Sequence, residues 1–83
     1  MRGIIIGMVG AGSVIFGGGL PRRMMADEDG VIREAEPVVW QNPEAMPEFR
    51  VVGYALDSSQ AVEIAHQFGD FCGRPFSRFD GSA

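Results

Sequence analysis

The sequence predicts a small α+β protein in which an N-terminal glycine-rich apolar helix, a candidate transmembrane helix, precedes a short strand–helix unit. Two observations lead to this fold class. Residues 3–19 hold seven of the twelve glycines and no charge, and residues 49–68 combine a strand pattern with a helix pattern. The alternative is a soluble α+β domain that begins with a β-hairpin.

Composition divides the chain into three segments. Residues 1–20 form the apolar glycine-rich segment, residues 21–48 a proline-rich irregular linker, and residues 49–83 a strand–helix unit with an irregular tail. In the linker, the spacing of the prolines excludes a long helix. Asp29-Gly30 favours a tight turn between short extended pieces.

The first segment is interpreted as a membrane span because residues 4–20 give 17 uncharged positions. As a helix they cover ~25 Å, slightly less than the ~30 Å hydrocarbon core of a bilayer. Gly3, Gly7 and Ala11 are four residues apart, a stripe of small residues that lets two helices pack closely. Arg22-Arg23 follow the span, so the positive-inside rule places the C-terminal domain on the cytoplasm-equivalent side of the membrane.

A β-hairpin is the alternative for the same segment. The apolar runs GIIIGMV and SVIFG flank Gly10-Ala11-Gly12, and glycine-rich connections suit tight turns between strands. Both faces of such a hairpin are apolar, so both need cover from other parts of a structure.

A dinucleotide-binding turn is the third interpretation, with Ile4–Val9 as the strand and Gly10, Gly12 at the phosphate turn. The stretch GAGSVIFGGGL is similar to the start of family 4 glycoside hydrolases, which carry a GAGS turn followed by an aromatic residue and a leucine. Phe16 and Leu20 fall on those positions. The resemblance implies NAD binding, with Asp57 as the acid that holds the ribose.

The C-terminal unit has the clearest local pattern. Phe49–Leu56 is rich in β-branched and aromatic residues and predicts a strand. Asp57 is a helix N-cap candidate, and Gln60 three residues later approximates a capping box. Gly69 or Gly73 is expected to end the helix. One helix face is predicted to carry Ala61, Ala65, Phe68 and Cys72.

Charge and composition restrict the chemistry. Eleven acids against seven bases, all arginine, give a net charge of −4, which disfavours nucleic acid as a partner. The single Cys72 allows no internal disulfide, and the single His66 completes no metal site or catalytic triad. We therefore expect no catalytic residue, no metal and no cofactor.

These observations predict a non-catalytic structural or accessory subunit of a larger membrane-embedded assembly, anchored by its N-terminal helix and bound to other protein subunits. The first alternative is a soluble structural or interaction protein of a multi-subunit particle, such as a virion or filament component. The second is a truncated NAD-binding fragment. Aromatic residues dominate interface hot spots, so the candidate partner contacts are Trp40, Phe76 and Phe79.

Overall fold

The computed structural model describes residues 2–42, 44 and 48–80, with the backbone alone for residues 2 and 74–80. Within this part of the chain there are six strands and one helix: β1 (Arg2–Val9), β2 (Gly12–Gly17), β3 (Arg23–Ala26), β4 (Ile32–Gln41), β5 (Phe49–Ala55), α1 (Ser58–Phe68) and β6 (Phe71–Asp80). All strand pairs are antiparallel. The main sheet has the order β5-β4-β2-β1-β6, and β3 pairs with the first part of β4.

The N-terminal segment is a β-hairpin, so the predicted N-terminal helix is wrong and the hairpin alternative fits. Isoleucine and valine favour strands, whereas each glycine costs a helix about 1 kcal/mol relative to alanine. Gly10 has a φ of +60° and opens a two-residue turn, as in a type II′ hairpin. Among the described residues, no helix is both long enough and apolar enough to span a bilayer, which overturns the transmembrane-helix prediction.

The small-residue stripe therefore lies in a hairpin and does not form a helix–helix contact. A Cβ atom on Gly7 would lie 2.0 Å from Cε1 of Phe71, and one on Gly3 would lie 2.6 Å from Cγ2 of Ile15. Both glycines make room for neighbouring side chains within the sheet. Ala11 lies in the turn and is exposed.

The segment expected to be an irregular linker contains β3 and most of the long strand β4. The predicted turn at Asp29-Gly30 is confirmed: the Asp27 N–H donates to the Val31 carbonyl at 2.9 Å, and Gly30 has a φ of +79°. Pro37 is buried in β4. It lies between Ala35, the last residue paired with β3, and Val38, the first paired with β2.

The strand and helix predicted in the C-terminal unit are confirmed as β5 and α1. Oδ1 of Asp57 accepts a hydrogen bond from the Gln60 N–H at 2.9 Å, and Oε1 of Gln60 accepts one from the Leu56 N–H at 2.9 Å. The helix ends at Gly69. Cys72 lies outside the helix, exposed in β6, the strand that forms where an irregular tail was expected.

Helix α1 packs on one face of the sheet, mainly against β5 and β1. Ala61 and Ala65 are fully buried there. The other members of this core are Ile6, Val14, Phe16, Val38 and Ala55.

The opposite face of the sheet is also apolar. Because side chains alternate along a strand, Ile15 points away from the helix between Val14 and Phe16. The register aligns it with three residues of neighbouring strands, in a row that reads Val51, Val39, Ile15, Ile5. Ile15 and Val39 are 2% and 0% exposed. The hairpin alternative required both faces to be apolar, and the sheet has this property.

A candidate docking groove beside the glycine loop

A loop that runs from Gly17, the last residue of β2, to Arg22 joins β2 to β3, and we call it the glycine loop. Phe16 pairs with Val38 and Arg23 pairs with Ala35. The six loop residues between Phe16 and Arg23 therefore lie opposite only two residues of β4, Glu36 and Pro37. Gly17, Gly18 and Gly19 have φ values of +90°, +98° and +81°. Side chains disfavour this conformation, so three successive glycines allow the chain to leave the sheet and return.

Two cavities meet at this loop and together form what we call the docking groove. The first measures about 410 Å³ and has apolar walls from Ile4 and Phe16, with Glu36 beside them. The second measures about 540 Å³ and is lined by Leu20, Met24 and Glu34, among others. Gly19 and Arg22 line both cavities.

Arg22 lies between the two cavities and bridges their carboxylates. Its Nη1 is 2.9 Å from Oε1 of Glu34, and its Nε is 3.3 Å from Oε1 of Glu36. The pKa of Arg22 is raised above its ordinary value, mainly by the hydrogen bond to Glu34 and the negative charge of that residue. The negative charge of Glu36 adds to this effect. One cation thus faces two anions, and the groove keeps an excess negative charge.

The hairpin of β3 and β4, which we call the arm (residues 23–35), continues the groove with an apolar surface. Met24 pairs with Glu34 and Ala26 pairs with Ile32, so these four side chains share one face. Met24 is 61% exposed and Ile32 60% exposed. Val31, 56% exposed, lies beside them at the end of the turn. Met24 belongs both to this surface and to the groove wall.

The three predicted partner contacts have different positions. The Trp40 indole is engaged inside the protein: its Nε1–H donates to the Val9 carbonyl at 2.8 Å, and its ring centroid is 6.1 Å from that of Phe68. It also covers Gly12, where a Cβ atom would lie 2.2 Å from Nε1. The side chains of Phe76 and Phe79 lie outside the part of the chain that the structure describes.

The dinucleotide interpretation needs a helix directly after Gly12, and strand β2 begins there instead. Gly10 lies in the hairpin turn, and Gly12 lies under the Trp40 indole. Asp57 caps α1, where hydrogen bonds from the Gln60 backbone and the Ser59 hydroxyl lower its pKa. Each of these three residues therefore has a local structural role.

The groove residues Glu34 and Glu36 and the arm residues Met24 and Ile32 were not among the predicted site residues, and Arg22 was assigned only to membrane orientation. No strand alternation marks them, because VIREAE after the Asp-Gly turn reads apolar, apolar, charged, charged, apolar, charged. The register of β3 and β4 brings them together.

The groove offers one guanidinium, two carboxylates and apolar walls, a set suited to binding a polypeptide. Among the residues that the structure describes, no cluster of three or more His, Cys, Asp or Glu could hold a metal ion. No protein-family model, curated protein or solved structure matches this chain. The arm and the docking groove are therefore the candidate functional surface.

Proposed function

We propose that this protein is a non-catalytic interaction protein that joins other protein subunits through its arm and docking groove. The observation that carries the proposal is the exposure of Met24, Val31 and Ile32, each more than half accessible on one two-stranded arm. Clustered apolar side chains on a surface mark contact sites, because burying them against a partner removes them from water.

The same surface supports a role in a multi-subunit particle. A soluble structural or interaction component of a multi-subunit particle, such as a virion or filament, needs a binding surface and no reaction centre. The net charge of −4 disfavours nucleic acid as the bound partner and favours a protein partner.

Photo-crosslinking tests this function. A p-benzoylphenylalanine replaces Met24 in the full chain, which is expressed in its native cells, and adducts are mapped by mass spectrometry. A matched control places the same group at Gln67, an exposed position on α1. We expect one defined partner protein, with mapped contact peptides, from position 24 and not from position 67.

The variant Ile32→Asp provides the second arm of the experiment. Because Ile32 is 60% exposed, the substitution should leave the unfolding midpoint nearly unchanged while it abolishes the adduct from position 24. Equal crosslinking from both positions, or an adduct that survives Ile32→Asp, would contradict the proposed function.

A further inference from the structure

We propose that the docking groove receives an extended polypeptide segment with arginine or lysine at every second position. This inference rests on the proposed function and specifies its partner. Each cavity of the groove combines an apolar wall with one carboxylate: Phe16 with Glu36 in the first, and Met24 with Glu34 in the second.

A long cationic side chain matches this combination. Arginine and lysine pack their methylene stems on apolar surface while the charged end reaches a polar partner. An arginine guanidinium binds a carboxylate through two parallel hydrogen bonds. Arg22 already shows that this surface accepts a guanidinium, since it contacts both Glu34 and Glu36.

Charge selects a cationic partner over a second copy of this chain. Asp27, Glu28 and Asp29 form the tip of the arm, and Glu34 and Glu36 line the groove at its base. The glycine loop and the arm carry three cations, Arg22, Arg23 and Arg33. Arg22 and Arg33 lie within 4 Å of these carboxylates and Arg23 lies over the Tyr54 ring, so five acids outnumber three bases. Two such surfaces would repel each other, whereas a basic segment would be attracted.

Two neighbouring cavities suit an extended segment. Along a strand, side chains on the same face recur every second residue, about 6.5–7 Å apart. In the proposed complex, successive side chains of one face enter the two cavities, one on each side of Arg22, which lines both. A bound cation would compete with Arg22 for Glu34 and Glu36.

Fluorescence anisotropy with three labelled heptapeptides tests the inference on the full chain. The probes are GLRVRLG, its neutral match GLQVQLG and its acidic match GLEVELG. We expect the arginine peptide to bind at least about five-fold more tightly than the neutral one, and the acidic peptide to bind most weakly. The preference should shrink as salt is raised from 50 to 500 mM, because salt screens exposed charges.

A pair of variants of equal charge locates the effect. Glu34→Gln with Glu36→Gln should remove the preference for the arginine peptide, while Glu63→Gln with Asp70→Asn, two exposed acids elsewhere, should change it by less than about two-fold. Arg22→Gln should strengthen binding of the arginine peptide, since it frees both carboxylates. Circular dichroism checks that each variant is folded.

Equal binding of the three peptides, equal effects of the two double variants, or absence of binding at millimolar peptide would overturn the inference. The outcomes separate it from the proposed function. If Met24 crosslinks to a partner in an Ile32-dependent way while the peptides show no preference, the cationic ligand is wrong and the interaction function stands. If the arginine peptide binds through Glu34 and Glu36 but no partner crosslinks, the groove's ligand preference stands without the proposed function.

Discussion

At the scale of single residues, the side chain of Asp57 caps the N-terminus of α1 directly after β5 ends. It follows β5 in extended conformation and accepts hydrogen bonds from the Gln60 N–H and the Ser59 hydroxyl, both at 2.9 Å. These donors stabilise the carboxylate, so the pKa of Asp57 lies below its ordinary value near 3.8. The cap is therefore strongest in its charged form.

The stability of the protein should report this ionisation. The unfolded chain binds the Asp57 proton more readily, so the contribution of the carboxylate is complete above its ordinary pKa. That contribution is lost as the pH falls through the lower folded-state pKa. We expect the wild type to exceed Asp57→Asn in unfolding free energy at pH 6, and the difference to shrink toward pH 2.5, in urea titrations across this range.

Asparagine is the matched control because it keeps the capping geometry without the charge. Asp57→Ala should be less stable than both at every pH tested. A difference between the wild type and Asp57→Asn that stays constant from pH 6 to pH 2.5 would show that the ionisation of Asp57 is not linked to folding.

At the scale of elements, the β1–β2 hairpin is fastened to β4 by Trp40. The indole lies over Gly12 at the start of β2, and its N–H reaches the Val9 carbonyl at the end of β1. The same side chain thus contacts both ends of the hairpin turn. This contact requires glycine at position 12, because any larger residue would place a Cβ atom within the space of the indole.

A double-mutant cycle tests that fastening. Gly12→Ala should cost about 1–3 kcal/mol of stability, because its Cβ forces the indole to move. In a Trp40→Leu background the same substitution should cost at least about 1 kcal/mol less, measured by urea unfolding. Gly10→Ala is the control: Gly10 has a φ of +60° and no atom within 4 Å of an added Cβ. The cost of Gly10→Ala should be equal in both backgrounds, and equal costs for Gly12→Ala would refute the contact.

The elements also show what can be derived from the sequence and what cannot. The β5–α1 unit is predictable because Asp57, Gln60 and the spacing of Ala61 and Ala65 are local signals. The N-terminal hairpin has a local turn signal in Gly10-Ala11-Gly12, but its apolar strands contact β4 and β6, which come later in the chain. Hydropathy alone cannot distinguish a segment covered by these strands from one covered by lipid. Arg22 meets Glu34 and Glu36 only through strand register, so the groove is not visible in the sequence.

At the scale of the whole molecule, the sheet is assembled from partners that are distant in the sequence. β1 pairs with β6 about sixty residues later, and β2 pairs with β4 across the glycine loop and β3. Bringing such segments together requires the closure of long loops before any contact stabilises them. Sheets of this kind fold more slowly than helical bundles of the same length.

Refolding should accordingly take milliseconds to seconds at 25 °C. Trp40 is the only tryptophan, and its indole contacts Val9 at the hairpin turn and Phe68 of α1, so its fluorescence in a stopped-flow denaturant jump measures the rate. A complete relaxation within microseconds would show that local contacts are sufficient for folding.

The position of β1 between β2 and β6 has a consequence for protein synthesis. At roughly 5–20 residues per second, a ribosome needs about 3–12 s to go from Val9 to Phe71. Throughout that interval the backbone groups of β1 that bond to β6 in the folded protein lack these hydrogen-bond partners, and an open strand edge is prone to aggregation. Nascent chains of this protein therefore keep an unpaired edge on β1 until β6 emerges.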